Sequence, residues 1–350
     1  TIPSIKNQKS YLQQHLPQKK LPTTMSIIFR NIAFILLISS TFLFHTIISQ
    51  KQKNDAVYSV SIPFEIDGIQ QQVPLIIHAG QSVADAVATF CIADRPKLCD
   101  NNNEAVRLQI LDLVTTIVNS QREHLYPNEV LRVMLETKQI TNAAGATITL
   151  DSNVAPDEGK YIYSLIKNNN MTRTLEVGMA NGVSTLYIAQ AHHDMGHTET
   201  VPRGHADDTS TTRHHVAIDP FQSTQWQSIG SFNLMKANLR HLVSLIEQES
   251  HFALPHLAMH QAGMYDLCFI DGMHLFDYTL IDFYYSDLLV KTNGYIVFDD
   301  AHMPSVQKVI SHALSNRAWR KIENGLNNKR VITLQKLKRD DRRWDYHVDF

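Results

Sequence analysis

Cysteine is scarce in this chain, which has three in 350 residues. So few cysteines exclude a small fold built on a disulfide framework. Clustered positive charge is also lacking, because 32 Lys and Arg stand against 34 Asp and Glu, for a formal net charge of −2. Nucleic-acid binding relies on Lys and Arg gathered along phosphates, so we expect no nucleic-acid partner. The apolar content of 43% is enough for a large buried core.

Two of the three cysteines, Cys91 and Cys99, lie close together in FCIADRPKLCD. They stand outside the apolar patterns of core positions. A metal site is disfavoured, because there are only two thiols and no pair of histidines lies nearby. We therefore expect a disulfide, which would fit a lumenal or extracellular domain. The sequon Asn170-Met171-Thr172 is consistent with the secretory route, although so short a pattern is common by chance. Cys268 lies in an apolar stretch and is predicted to be a core residue.

Residues 26–49 form the longest apolar run, with a single charge at Arg30. The run is near the length that spans a membrane, and it lacks the amphipathic surroundings of a buried soluble helix. We predict a membrane anchor or a signal segment, so the protein would be single-pass membrane-anchored or secretory. The absence of a small-x-small cleavage site favours the anchor. Lysines in the tail 1–25 favour a cytoplasmic N-terminus, unless Met25 is the true start.

The rest of the chain divides by pattern. Apolar and polar residues alternate around Asp67-Gly68 in VYSVSIPFEIDGIQQQVPLIIHAG, which predicts a β-hairpin, and helical spacing follows at 82–95 and 104–119. We expect a small hairpin-plus-helix module that binds or positions, because it has few convergent polar groups. The predicted segments are a module at 55–120, a connector at 121–154, a catalytic domain at 155–338 and a tail at 339–350.

From Thr174 onward, short apolar strands alternate with helical stretches. This alternation predicts an α/β fold with a doubly wound parallel sheet, of the Rossmann-like kind. Ligands of such sheets bind beyond the carboxyl ends of the strands, so the residues at those ends are the candidates for function. A helix is expected from Asp157 to Lys167, just before the first strand.

The first strand end is LEVGMANGVST, where Gly178 and Gly182 permit a tight turn and Ser184 opens the next helix. This arrangement is typical of a nucleotide-like ligand. Ala180 occupies the middle position of G-x-G-x-x-G and the third glycine is absent, which disfavours NAD. The next strand ends at Asp219 in HHVAIDPF, an acid placed to accept hydrogen bonds from ribose hydroxyls.

A polar insertion, HHDMGHTETVPRGHADDTSTTRHH, separates these two strand ends. Its composition predicts a surface loop. Six histidines lie in it and could ligate a metal, but without fixed spacing on a helix or strand we interpret them as solvated. They are His192, His193, His197, His205, His214 and His215.

Two further strand ends carry acids and histidines: Asp271 with His274 in DLCFIDGMH, and Asp299-Asp300 with His302 in YIVFDDAHMP. Three carboxylates on one rim repel one another unless a cation or proton compensates. A hard divalent metal with oxygen ligands, Mg²⁺ above all, is the expected compensation. The alternative is that some of these acids only cap the helices that follow.

Taken together, these motifs resemble the class I S-adenosylmethionine (SAM)-dependent methyltransferases over roughly residues 155–336. They are most similar to the small-molecule O-methyltransferases related to macrocin O-methyltransferase and, more distantly, catechol O-methyltransferase. The resemblance implies SAM as the methyl donor and a small-molecule acceptor, and it does not specify an oligomeric state. The cofactor-binding residues that it implies are Glu176, Gly178, Gly182 and Ser184 at the methionine part, Asp219 at the ribose, and Ser250 and His251 at the adenine.

The resemblance also implies a chemistry. In metal-dependent members the ligands correspond to Asp271, Asp299 and Asp300, although the last is Asn or similar in those relatives. His274 resembles their general base, acting beside Asp271, and His302 is a second candidate. The hypothesis is a metal-assisted O-methylation of a small-molecule hydroxyl. The alternative is a catalytically inactive methyltransferase-like binding protein tethered to a membrane.

Overall fold

The structure is a computed structural model that describes residues 56–66, 69–99, 103–197, 201–202, 211–212, 214–326 and 329–350. The predicted tail 1–25, the apolar segment 26–49 and the Asp67-Gly68 turn lie outside the described residues. Among the helices that are described, none combines the length and apolarity needed to cross a bilayer. The membrane segment therefore stays a prediction.

A β-hairpin begins the described chain, as the alternating pattern predicts. Strands β1 (Ala56–Ile66) and β2 (Ile69–His78) pair antiparallel, with Val60 opposite Leu75. Alternate side chains are buried on one face, because side chains alternate across a pleated sheet; they are Tyr58, Val60 and Ile62 of β1 and Val73, Leu75 and Ile77 of β2. Helix α1 (Val83–Thr89) follows, and helix α2 (Glu104–Leu125) packs on β1. Cys91 and Cys99, both in the segment that connects these helices, form the expected disulfide.

The predicted connector contains regular structure of its own. Helix α3 (Glu129–Thr137) starts at Asn128, whose side chain accepts a hydrogen bond from the Leu131 amide, and a short hairpin of β3 (Gln139–Thr141) and β4 (Thr147–Thr149) follows. The two strands are too short to give a clear periodic signal. The hairpin module and the first helices of the following domain share one hydrophobic core, within a single compact unit of residues 54–350.

Strands and helices alternate as expected over most of the remaining chain, apart from two runs of consecutive strands. In chain order they are α4 (Pro156–Asn168), β5 (Thr174–Val177), α5 (Val183–Asp194), β6 (Val201–Pro202), β7 (Thr211–Thr212), β8 (His215–Ile218), α6 (Ile229–Lys236), β9 (Val243–Ile246), α7 (Ser250–Gln261), β10 (Tyr265–Ile270), α8 (Phe276–Leu289), β11 (Val290–Phe298), α9 (Pro304–Asn316), β12 (Trp319–Ile322) and β13 (Ile332–Lys336).

Seven of the described strands form the main sheet, in the order β12-β13-β11-β10-β5-β8-β9. The strands from β11 to β9 are parallel, which confirms the doubly wound α/β fold, whereas β13 and β12 add an antiparallel edge that the sequence pattern did not reveal. Every residue of β10 is buried, as expected for a strand covered by helices on both faces. Strand order reverses between β5 and β10, and in sheets of this kind ligands bind at the carboxyl ends of the strands beside such a reversal.

Candidate active site

The turn after β5 depends on glycine at two positions. Gly178 has φ +92°, and a Cβ there would lie 2.0 Å from the Asp271 carbonyl oxygen. Gly182 has φ +82°, and its Cβ would lie 2.9 Å from the Gly230 Cα. Both positions therefore exclude larger residues by conformation and by space. Gly182 is also the N-cap of α5, and Ser184 is buried in the first turn of that helix, so backbone amides of the helix start face this turn.

Glu176 lies in β5 and is fully buried. Its Oε2 accepts a hydrogen bond from the Thr185 hydroxyl at 2.5 Å and lies 3.4 Å from His215 Nε2. Its Oε1 is buried without a hydrogen-bond partner among the described residues. A buried carboxylate oxygen with no donor is costly, so this position suits a ligand that brings a donor, such as an ammonium group.

Asp219 follows β8 and is buried, and its carboxylate already has partners. Oδ2 accepts hydrogen bonds from the backbone amides of Met179 and Ala180, at 3.1 and 2.8 Å, and Oδ1 accepts one from the Phe221 amide at 2.8 Å. The side chain therefore holds the glycine turn in place, a role that the sequence did not indicate. Oδ2 also accepts from the Gln222 side-chain amide at 3.2 Å. Contact with a ribose stays a prediction, for which only Oδ1 retains a second lone pair.

Ser250 and His251 open α7. The Ser250 side chain lies beside the Asp282 carboxyl, and His251 Nε2 lies 3.2 Å from Glu249 Oε2. The His251 ring packs 4.1 Å from the Phe252 ring and 6.0 Å from the Tyr278 ring, measured between centroids. Its Nδ1 is buried without a described hydrogen-bond partner. Aromatic faces next to a polar nitrogen are suited to a planar heterocycle.

Asp271 directly follows β10. Asp299 and Asp300 are the first and second residues after β11. His274 Nε2 lies between two of these acids, 3.4 Å from Asp271 Oδ1 and 3.5 Å from Asp300 Oδ2. Ligand atoms of these three residues lie within 4.8 Å of one another. His302 lies farther out, 3.8 Å from Asp300 Oδ1, with its side chain 57% exposed.

Arg330 was not predicted by the sequence reasoning, and it changes the charge balance at this rim. Its Nη2 lies 3.3 Å from Asp299 Oδ2, and its Nε lies 3.0 Å from Asp300 Oδ1. Glu158 of α4, also unforeseen, places Oε1 3.9 Å from the same Nε. The guanidinium thus supplies compensation that the sequence argument assigned to a metal. Asp299 faces Arg330 and lies outside the group formed by Asp271, His274 and Asp300.

Burial and neighbouring charges shift the protonation of these groups. Burial raises the pKa of Asp271 and of Asp299, and the Asp271 carboxylate raises the pKa of His274. Burial also raises the pKa of Glu158 to about 7. Asp271 and His274, 3.4 Å apart, are therefore placed to share a proton.

Exposed apolar side chains follow the same strand ends. Met273, Leu275 and Phe276 come after Asp271 and are 53%, 55% and 41% exposed. Phe221 comes after Asp219 and is 45% exposed, and Phe252 at the start of α7 is 60% exposed. Apolar groups concentrated beside a polar site are typical of small-molecule binding.

The prediction of a solvated histidine loop is wrong for three of its six members. His192, His214 and His215 are buried, because His192 belongs to α5 and His215 to β8, while His214 directly precedes that strand. Polar flanking residues hid their place in the sheet layers. His205 lies outside the described residues.

Residues 175–301 match the family model described as "Methyltransferase domain". The match spans β5 to the residue after Asp300 and confirms the resemblance to class I SAM-dependent methyltransferases for this part of the chain. No curated protein sequence matches the chain closely enough to count as a relative.

Solved structures with a similar fold include three methyltransferases. An O-methyltransferase from Bacillus cereus in complex with S-adenosylhomocysteine (SAH) is 18% identical, over 63% of this chain and 97% of that one, with a TM-score of 0.45. The SAH-bound methyltransferase PaMTH1 of Podospora anserina is 14% identical, over 65% and 96%, with a TM-score of 0.47. The O-methyltransferase TomG of Streptomyces achromogenes, with SAM, is 21% identical, over 54% and 82%, with a TM-score of 0.40. At such identities a likeness concerns the fold alone.

Proposed function

We propose that this chain is a SAM-dependent methyltransferase that methylates a hydroxyl oxygen of a small molecule. One observation carries the proposal. The glycine turn after β5 and the Asp271–His274 pair after β10 lie side by side at the carboxyl ends of the strands. A Cβ on Gly178 would overlap the Asp271 carbonyl oxygen. The glycine turn that would hold SAM therefore lies directly against the residue that would accept the proton. Such contiguity is what a methyl transfer between two bound molecules requires.

Residues around the glycine turn and at the start of α7 offer partners for both ends of SAM. The unpartnered Glu176 Oε1 can accept from the amino group of the methionine part, and the amides of the α5 start can bind its carboxylate. His251, with Phe252 and Tyr278 beside it, offers an aromatic face and a ring nitrogen to the adenine. SAM supplies a methyl group on a cationic sulfonium, and the carboxylates of this rim favour a cation.

The acceptor oxygen loses its proton to the Asp271–His274 pair in this proposal. His274 Nε2 is buried and makes no well-aligned hydrogen bond, although carboxylate oxygens lie within 3.5 Å of it. That nitrogen is therefore placed to take a proton from a hydroxyl group. Asp271 and Asp300 stabilise the imidazolium that results, and Arg330 restrains Asp300.

A divalent metal fits the same rim only with a ligand set different from the expected one. The donor atoms that come together belong to Asp271, His274 and Asp300, whereas Asp299 is directed at Arg330. These three residues would hold the ion, which would lower the pKa of an acceptor hydroxyl. We propose metal assistance with this set as a second form of the mechanism.

The acceptor that we propose has an apolar body. The exposed side chains of Met273, Leu275 and Phe276 lie next to His274 in the chain. Their burial against an aromatic or aliphatic acceptor would give a favourable free energy of binding.

We further propose a membrane-anchored or secretory location, which rests on the apolar residues 26–49 and on the Cys91–Cys99 disulfide. Disulfides persist in oxidising compartments. A lumenal enzyme needs SAM to be delivered across the membrane, and peptide mapping of the unreduced protein from cells would test the location. Free thiols at both cysteines would overturn it.

Calorimetric titration of the full chain with SAM, SAH and NAD tests the donor. Binding of SAM and SAH without NAD is expected. A folded protein that binds neither SAM nor SAH would refute the methyltransferase proposal. SAM binding combined with no transfer to any of a panel of phenolic and aliphatic hydroxyl compounds, with or without Mg²⁺, would favour the alternative of an inactive binding protein. Turnover that chelation does not reduce would reject metal assistance.

A further inference from the structure

Three imidazoles meet at the opposite edge of the sheet from the candidate active site. His192 lies in the last turn of α5, His197 follows the end of that helix, and His214 directly precedes β8. We call these residues the histidine cluster. One ring nitrogen from each lies within 4.8 Å of the others, with His192 and His214 buried and His197 half-buried.

The spacing inside the cluster matches that of ligands on one ion. His192 Nδ1 and His197 Nδ1 are 3.0 Å apart, and the rings of His197 and His214 stack with centroids 4.3 Å apart. Two nitrogens bound to a tetrahedral Zn²⁺ at ~2.0–2.1 Å lie roughly 3.3 Å from each other. A small relaxation of the rings would therefore place an ion between them.

Hydrogen bonds determine which nitrogen of His192 faces the cluster. The Glu176 carboxylate accepts from His215 Nε2, so a neutral His215 has its lone pair on Nδ1, which accepts from the Thr174 hydroxyl at 2.9 Å. The Thr174 oxygen then accepts from His192 Nε2 at 2.8 Å. His192 is left with its lone pair on Nδ1, directed toward His197, as a metal ligand requires.

His214 shows the same arrangement. Its Nδ1 donates to the Thr172 carbonyl oxygen at 2.7 Å, which places the lone pair of the neutral ring on Nε2. Metal-bound histidines commonly donate their other N–H to a carbonyl or hydroxyl oxygen, which orients the ring. Burial also lowers the pKa of His192 and of His197, which favours the neutral imidazole that binds metals.

We propose that His192, His197 and His214 bind a divalent transition-metal ion of the Zn²⁺ type. Three imidazoles favour Zn²⁺, Co²⁺ or Ni²⁺ over Mg²⁺, so this site would take a different ion from the carboxylate rim. The ion would join the end of α5 to the start of β8. Three protein ligands leave a coordination position for water or a further ligand.

The test uses the full chain without an oligohistidine tag, stripped of metal by a chelator and titrated with Co²⁺. One equivalent is expected to give the absorption of a tetrahedral Co²⁺ ion, and Zn²⁺ is expected to displace it. His197→Ala, chosen because that ring is only half-buried, is expected to weaken binding more than about tenfold. His193→Ala removes an exposed neighbouring histidine and is the matched control, expected to bind as the unmodified chain does.

Two further variants make the outcome decisive. His197→Cys retains a ligand and is expected to add an intense sulfur-to-cobalt charge-transfer band, a signature that a purely structural role of the ring cannot produce. Asp300→Asn disturbs the carboxylate rim and is expected to leave the tetrahedral spectrum unchanged. An octahedral spectrum, or binding that His197→Ala leaves intact and Asp300→Asn removes, would overturn the proposal and place the ion at the rim.

Discussion

Glu158 offers the sharpest test of the electrostatics around Arg330. The side chain is fully buried, its Oε2 accepts a hydrogen bond from the Ala155 amide, and its Oε1 lies 3.9 Å from Arg330 Nε. Burial, with the Asp299 charge adding to it, raises the pKa of Glu158 from 4.5 to about 7. The folded protein thus favours the protonated form more than the unfolded chain does. The stability that this group contributes is complete below its unfolded pKa and is lost as the pH rises through its folded pKa.

Glu158→Gln removes the loss of stability at high pH, because Gln cannot ionise, and it keeps an oxygen that can accept from the Ala155 amide. From the shift between 4.5 and about 7, the variant is expected to exceed the parent by roughly 3 kcal/mol at pH 8 and by less than about 1 kcal/mol at pH 5. The gain should therefore grow between pH 5 and pH 8.

Urea unfolding at several pH values measures the difference. Asp157→Asn is the matched control, because Asp157 is the exposed neighbour of Glu158 in the same helix turn, and a pH-dependent gain as large as that of Glu158→Gln is not expected from it. A Glu158→Gln gain that is equal at pH 5 and pH 8, or a loss that grows with pH, would refute the reasoning. The latter would mean that attraction to Arg330 outweighs burial.

Three further predictions follow from the site and the disulfide. Gly178→Ala should weaken SAM binding more than about tenfold in titration, because its Cβ would lie 2.0 Å from a carbonyl oxygen at φ +92°. His274→Gln should lower kcat by about 10²–10⁴-fold in a turnover assay and leave the SAM Kd unchanged, because it removes proton transfer only. Paired Cys91→Ser and Cys99→Ser should lower the free energy of unfolding by about 2–3 kcal/mol, since the loop that the bond closes is short.

Each of these has a matched control. Gly263 also has positive φ, at +71°, but no atom lies within 4 Å of its Cβ position, so Gly263→Ala should retain SAM binding. If it weakens binding as much as Gly178→Ala does, backbone strain and not the clash is responsible. His302→Gln should retain turnover, and a loss equal to that of His274→Gln would move the base to His302. For the disulfide, a reductant should reproduce the loss in the parent and have no effect on the double variant.

The fold was predictable where local pattern and buried layers agree. β10 is buried on both faces, so its near-continuous apolar sequence identified it, and the hairpin of β1 and β2 followed from strict alternation. The antiparallel edge strands β12 and β13 were not recognised, because the segment between β11 and the C-terminus alternates weakly and pairing depends on its neighbours. Helix α7 was also missed, since Pro255 interrupts its pattern.

The sequence by itself determined the residues that follow the parallel strands, because the carboxyl ends of such strands must meet at one edge: Gly178, Asp219, Asp271 and Asp300 were all placed by that rule. Only the tertiary structure decided their partners. Arg330 and Glu158 lie far apart in sequence, and the fold brings Arg330 next to both Glu158 and Asp299. No local sequence pattern predicts these contacts. The histidine cluster has the same origin, since His192 and His214 are buried where the sheet and helix α5 join, and His197 is half-buried beside them. The position of a residue in the strand–helix pattern predicts the edge of the sheet at which it lies. Its charge balance and burial depend on residues distant in sequence.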